Sequence, residues 1–305
     1  MCSDVCDLEV TSNHDSRFTP HEFHSLLTTH YSPLTNAVRM KKILSLSILL
    51  LISTFLCSHE FWLNPNKFVY QTGELINIKF LVGENFEGIN WTGNKQSVQS
   101  LELYLDGAAD DLGQHLSDST GDSLRFAIYD EGTFMVSYQS TNKYIELEPA
   151  KFLEYLKEDG LTNAIEFRAA QKEGDSTGRE YYQRSVKTIF QVGEKRNSIF
   201  KKTTHLPLDI TPVQNPYDPN LGKGENISVK ILFKNKPLAN QLIKIWHRYN
   251  NQTEKIELVS NEQGMVEFPY TRAGKWMVST VKMERLENDP KAQWQSFWGS
   301  CTWGD

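Results

Sequence analysis

A histidine that becomes the first residue of a chain offers two nitrogen donors at once, its free α-amine and its imidazole. His59 stands where such a terminus is expected. The amine has an ordinary pKa of about 7.7–8.0, so surrendering its proton to a metal near neutral pH costs little. Glu60 adds an oxygen from the next position. Nitrogen donors of this kind accept nickel, cobalt, copper and zinc, with copper bound most tightly. The donor set therefore asks for a divalent transition metal without choosing it. Such a chelate is incomplete alone. His115, His205 and His247 occur singly, with no His-x-x-x-His or Cys-x-x-Cys pair. His205, ahead of Leu206-Pro207, and His247, within Ile245-Trp246-His247-Arg248-Tyr249, are the residues placed to complete a site. The competing reading is that His59 is an ordinary polar residue at a strand start, and cleavage one residue away removes the chelate.

A second constellation is Arg168, then Arg179-Glu180-Tyr181-Tyr182-Gln183-Arg184 with Lys187. On a helix Glu180 and Arg184 are four apart, as are Gln183 and Lys187, which is ordinary surface pairing. The functional alternative is a ligand contact through Arg179, Glu180 and Lys187. A third is Trp294-Gln295-Ser296-Phe297-Trp298, continuing to Trp303, which reads as core packing of a terminal strand or as a platform for stacking sugars. Gly222-Lys223-Gly224 lacks the spacing of a phosphate loop, and no Gly-x-Ser-x-Gly elbow occurs. Cys301, near Trp298 and Trp303, reads as a buried small apolar residue rather than a nucleophile. No catalytic role is expected.

These residues need elements to hold them, and the chain ahead of His59 reads as a leader. Met40-Lys41-Lys42, an apolar run from Ile43 to Leu56 and then Cys57-Ser58 have the layout of a signal peptide (40–58), with cleavage expected after Ser58. That run is shorter than the roughly 20 residues a membrane span needs, so the mature chain is expected to carry no transmembrane segment. Lipidation at Cys57 is a lesser option, since Phe55-Leu56 ahead of it are bulky. Residues 1–39, which hold four of the eight histidines, read as a mis-assigned start upstream of Met40. Loss of the leader removes Cys2, Cys6 and Cys57, leaving no internal disulfide.

Downstream the patterning is mostly strand. Ile76, Ile78, Phe80 and Val82 alternate with Asn77, Lys79 and Leu81, Phe134, Val136 and Tyr138 alternate with Met135 and Ser137, and later Ile227, Val229, Ile231 and Phe233 alternate likewise. Pro149 opens and Gly160 closes a short amphipathic helix bearing Phe152, Tyr155 and Leu156, within a helical segment expected over about 149–187. A polar stretch at 194–204 divides an N-terminal β-rich domain (59–193) from a C-terminal β-sandwich (205–305), whose strands recur at short spacing between turn signals. A net charge of −6 across 305 residues makes nucleic acid an unexpected partner.

The opening His59-Glu60-Phe61-Trp62-Leu63-Asn64-Pro65, placed after a signal peptide, resembles the start of the DUF4198 proteins. The likeness continues through Ile145-Glu146-Leu147, Lys151-Phe152, Tyr155-Leu156-Lys157-Glu158-Asp159-Gly160-Leu161, Arg179-Glu180 with Lys187, and Leu206-Pro207-Leu208 before Asn215-Pro216-Tyr217. It closes with Pro237-Leu238-Ala239, Gly274-Lys275-Trp276 and Trp294-Gln295-Ser296. No one motif is specific; their order and spacing are. The resemblance implies an exported, periplasmic or cell-envelope protein of mainly β architecture, with two sandwich-like domains, the second transthyretin-like or carboxypeptidase-regulatory-like. It also implies a metal-binding accessory of nickel or cobalt uptake, with a membrane transporter component as partner. Where relatives are expected to carry His-Met, this chain has Lys282-Met283, and a protonated ammonium does not coordinate. The rival expectation is a non-enzymatic surface module that binds a glycan or a protein.

Overall fold

In the computed structural model residues 59–91, 93–116 and 123–305 are described. The upstream segment 1–39 and the leader 40–58 lie outside them. In chain order the strands are β1 (Glu60–Pro65), β2 (Val69–Tyr70), β3 (Leu75–Glu84), β4 (Glu87–Asn90), β5 (Val98–Leu105), β6 (Ala108–Asp111), β7 (Ser123–Ala127), β8 (Gly132–Ser140) and β9 (Lys143–Leu147). Helices α1 (Pro149–Glu158) and α2 (Thr162–Ala170) follow. The chain then continues with β10 (Gly178–Val192), β11 (Leu208–Pro212), β12 (Lys223–Phe233), β13 (Lys236–Pro237), β14 (Leu242–Tyr249), β15 (Gln252–Val259), β16 (Met265–Thr271), β17 (Lys275–Arg285) and β18 (Trp294–Gly304).

One long sheet organises the molecule. Its order is β15-β14-β17-β18-β10-β8-β5-β6, with β2 and β9 also paired to β10. A four-stranded sheet, β1-β3-β4 with β7 on β3, and another, β11-β12-β13 with β16 on β12, complete a mainly β, sandwich-like architecture. The junction of the long sheet is a parallel pairing of β10 with β18, running from Glu180 opposite Trp294 to Thr188 opposite Thr302. Strands from both sides of the expected 194–204 division thus share one sheet, and the described residues belong to one compact unit. Within that stretch a short 3-10 turn, Ile199–Lys201, buries Ile199 and Phe200.

Neighbouring residues on a strand point to opposite faces, and the core contacts follow that alternation. Phe134, Val136 and Tyr138 of β8 and Phe190 of β10 pack with Phe61, Ile78 and Phe80 of the β1–β3 sheet. Met135 and Ile189 turn the other way and join Leu208, Ile210, Ile227 and Val229 of the β11–β12 sheet. The long sheet is therefore covered on both faces, which is why β8 is buried at every position. The helices lie on the same face as the β1–β3 sheet, where Phe152, Tyr155 and Leu156 meet Val281, Met283 and Trp294.

Pro149 stands in the first turn of α1 as expected. Gly160 follows the helix at φ +63°, and a Cβ there would come within 2.6 Å of Leu242 Cβ. Only a glycine accepts that left-handed turn against so close a neighbour. The expected helical segment needs correction beyond Ala170, because Gly178–Val192 is a 15-residue strand. Interior to a doubly covered sheet, its side chains are buried on both faces over much of its length, and the simple period that marks a half-buried strand is lost.

Candidate functional site

The change from helix to strand rearranges the second constellation. On a helix Glu180, Arg184 and Lys187 would share one face; on β10 Glu180, Tyr182 and Arg184 face β1 and α1, while Arg179 and Lys187 point the opposite way. Lys187 is fully buried and donates to Asp209 and, at 3.0 Å, to Thr211 Oγ1. The other Asp209 oxygen accepts from Thr204 N at 2.7 Å and Thr204 Oγ1 at 3.2 Å. Lys187 is thus held inside a closed polar cluster, out of reach of a ligand. Arg179 uses its backbone N–H to bond Gln293 Oε1 and lines neither cavity described below.

Glu180 is the member that faces a cavity. His59, Ile145, Leu147, Tyr155, Glu180, Tyr182, Arg184 and Trp298 line a space of about 30 Å³. A space that size accommodates an ion with one or two waters. Glu180 Oε1 accepts from Ser296 Oγ at 2.8 Å and lies 3.4 Å from the Tyr155 hydroxyl. Its Oε2 is buried with no hydrogen-bond partner. Burial pushes the Glu180 carboxyl up to about 8, against the two hydrogen bonds that favour its charge. At neutral pH it is therefore largely a neutral acid, ready to exchange its proton for a cation.

His59 enters from β1. In the β1–β3 ladder Glu60 pairs with Gly83, so the next step sets His59 against Glu84, and His59 Nδ1 lies 2.9 Å from Glu84 Oε1. Glu60, one residue on, points to the other side, as successive strand residues must. It lines a separate small cavity with Asp159, Lys244, Thr280 and Trp298. There Lys244 Nζ is 2.8 Å from Asp159 Oδ1 and 3.7 Å from Glu60 Oε1. Burial lifts the Glu60 carboxyl to about 7 and that of Asp159 to about 6, with Lys244 opposing in both cases. Burial works against the Lys244 charge, yet Asp159 and Glu60 carry its pKa upward. Glu60 therefore does not converge with His59 on one ion, and the oxygen nearest to that task belongs to Glu180.

The other expected ligands lie elsewhere. On β14, Trp246 packs with Trp62 and Met277, while His247 turns to the opposite face and stacks on Trp276 at 4.1 Å. Its Nε2 is 2.8 Å from Ala273 O. His205 is exposed just before β11. Neither meets His59, and among the described residues no group of three or more His, Cys, Asp or Glu is arranged to hold a metal. Lys282 shares the face of Trp276 and Val278, away from the His59 cavity. Cys301 is free and fully buried, and burial pushes its thiol up to about 12, which removes it as a nucleophile. Trp294 and Trp303 are likewise buried. Trp298 is half-buried, stacked on Tyr155 at 5.7 Å, with its indole N–H donated to Ser296 Oγ at 3.1 Å.

Lys244 helps to shape these cavities although nothing in its local sequence marked it out, while Asp159, Arg184 and Trp298 stood in the quoted motifs without being assigned to a site. The one available signal was a buried-strand reading of Glu180–Lys187, which separates the two faces by counting alone.

The fold and cavities define a mainly β, layered protein with a polar pocket where its N-terminal strand meets the long sheet. The chain belongs to the family described as a domain of unknown function, DUF4198, whose model matches residues 56–284. No curated protein matches it. Among solved structures it is similar to a DUF4785 family protein from Legionella pneumophila, at 9% identity and a TM-score of 0.23, covering 71% of this chain and 50% of that one. A mutant of Salmonella alpha-2-macroglobulin is matched at 12% identity and a TM-score of 0.21, covering 82% of this chain and 15% of that one. This chain thus spans half the length of the first and a small part of the second. At such scores neither likeness informs fold or function. No described helix is long and apolar enough to cross a membrane.

Proposed function

We propose that the protein is an exported, non-enzymatic metal-binding protein, an accessory or delivery component for nickel or cobalt that hands its ion to a membrane transporter. The reading rests on one observation: His59 and Glu180, whose Oε2 has no hydrogen-bond partner, line the same small cavity. Cleavage after Ser58 would add the His59 α-amine, giving two nitrogens and one oxygen from two residues. A buried carboxyl with one unsatisfied oxygen fits a cation, since coordination supplies the charge and the partner that the fold withholds. The ion is cargo, with nickel and cobalt preferred on the family resemblance and copper or zinc as chemical competitors.

The test compares a chain beginning at His59 with one carrying an extra residue ahead of it, and with Glu180→Gln, each titrated with nickel, cobalt, copper and zinc by calorimetry. Tight binding to the first should collapse in the second and weaken about tenfold or more in the third. Equal binding by all three would sink the site, and no binding by any would leave the glycan- or protein-binding module in its place.

A further inference from the structure

A larger cavity lies beside the first, and Tyr182 and Arg184 belong to the walls of both. It measures about 250 Å³ and is lined by Val82, Ile89, Asn90, Trp91, Tyr138, Ser140, Lys143, Tyr182 and Arg184. His59 and Glu180 are not part of it. Four residues along a strand span about 13 Å, so Arg184 stands well away from the Glu180 carboxyl on the same face of β10.

The charges here are one-sided. Arg184 and Lys143 line the cavity and no Asp or Glu does. The Arg184 guanidinium lies 4.3 Å from the centre of the Phe61 ring and 5.8 Å from that of Tyr182. Its backbone N–H is spent on Ser140 Oγ at 2.9 Å. Among the described residues the guanidinium forms no ion pair, and burial lowers its pKa. Lys143 Nζ donates to Ser97 Oγ at 3.0 Å, which orients it without neutralising it.

Arg184 is half-buried, and a partly covered cation without a counter-charge leaves that charge for a ligand to meet. Guanidinium presents two parallel N–H groups that match the two oxygens of a carboxylate. The rest of the lining is apolar or aromatic: Val82, Ile89, and Trp91, which meets Phe61 edge-on at 5.7 Å. The volume lies just under the roughly 300–1,000 Å³ usual for drug-sized ligands, so the occupant is small.

We propose that this cavity binds a small organic carboxylate, its acid group paired with Arg184 and Lys143 and its apolar body laid against Trp91 and Ile89. The two cavities share Tyr182 and Arg184 but not His59 or Glu180, so carboxylate binding is tested without a metal and does not depend on one.

Phenylacetate and hexanoate are the probes, titrated into the full chain by calorimetry alongside phenylacetamide and inorganic phosphate. At least one acid should bind, and phenylacetate should bind at least about tenfold tighter than its amide. Arg184→Lys keeps the charge but loses the fork, and should weaken binding about tenfold; Lys143→Met should weaken it a few-fold. Arg184→Met should abolish binding; if it fails to fold, the other two variants, checked by circular dichroism, decide. Trp91→Phe should remove most of the ligand-induced change in tryptophan fluorescence. Absence of binding by both acids, an amide as tight as its acid, or Arg184→Lys indistinguishable from the parent would each overturn the proposal. Phosphate binding as tightly as phenylacetate would overturn it too, by assigning the site to an inorganic anion.

Discussion

Glu180 and Lys187 stand on one strand, both almost wholly buried, and their surroundings could hardly differ more. Lys187 has an ionic partner, and that partner's second oxygen is taken by Thr204. On the opposite face Glu180 keeps one oxygen bare, and so does Asp159, whose Oδ2 has no partner although its Oδ1 meets Lys244. The difference separates two uses of buried charge. A saturated cluster fixes one strand against another and has nothing left to offer, whereas an unsaturated one costs stability and is worth keeping where something binds.

The largest effect should come from breaking the closed cluster. Lys187→Met strands a buried Asp209 and should cost about 3–5 kcal/mol in urea unfolding, and adding Asp209→Leu should return most of it. A double variant as unstable as the single one would show that the pair holds the sheets together as an ion pair and not merely as a filled volume.

The open cluster should show itself in pH instead. Glu180, near 8 in the folded protein, keeps its proton where the unfolded chain, near 4.5, has lost it. Its contribution is therefore fully present below about pH 4.5 and is lost as pH rises through 8. In Glu180→Gln that part of the decline should vanish, a difference on the order of 3 kcal/mol between pH 5 and pH 8. Parallel stability profiles for parent and variant would show that the carboxyl is better solvated than its burial suggests.

Smaller again is the pH dependence of metal capture. Both the His59 amine, ordinarily at about 7.7–8.0, and the Glu180 carboxyl must lose protons, so nickel affinity should rise about tenfold or more from pH 6.5 to 8.5. A flat profile would remove both groups from the site. The smallest change belongs to His247→Ala, which loses a stacked ring on the other face; it should cost about 1 kcal/mol or less and leave metal affinity unaltered.

Much of the architecture could be read from side-chain order. Ile76, Ile78 and Phe80 alternate and are buried, and so are Ile227, Val229 and Ile231. Pro149 and Gly160 bracket α1 as their backbone preferences require. The long strand β10 escaped, because both its faces are covered and its Glu180-to-Arg184 spacing imitates a helix. The parallel pairing of β10 with β18 escaped as well, since no local pattern reports a partner more than a hundred residues away. The candidate site was half visible. His59 and Glu180 were each singled out, but for separate roles, and their meeting depends on β1 and β10 arriving at one cavity. Glu60, adjacent to His59, proved to face away for the same alternation that made the strands legible.

The position of β18 also governs when the molecule can finish folding. Trp294–Gly304 is inserted between β17 and β10, so the long sheet stays in two pieces until β18 is in place. Strands made early must wait for one made more than a hundred residues later, a high-contact-order closure that slows folding. A chain ending before Trp294 should accumulate as a partly ordered species with exposed strand edges at β10 and β17, prone to pair with its own copies.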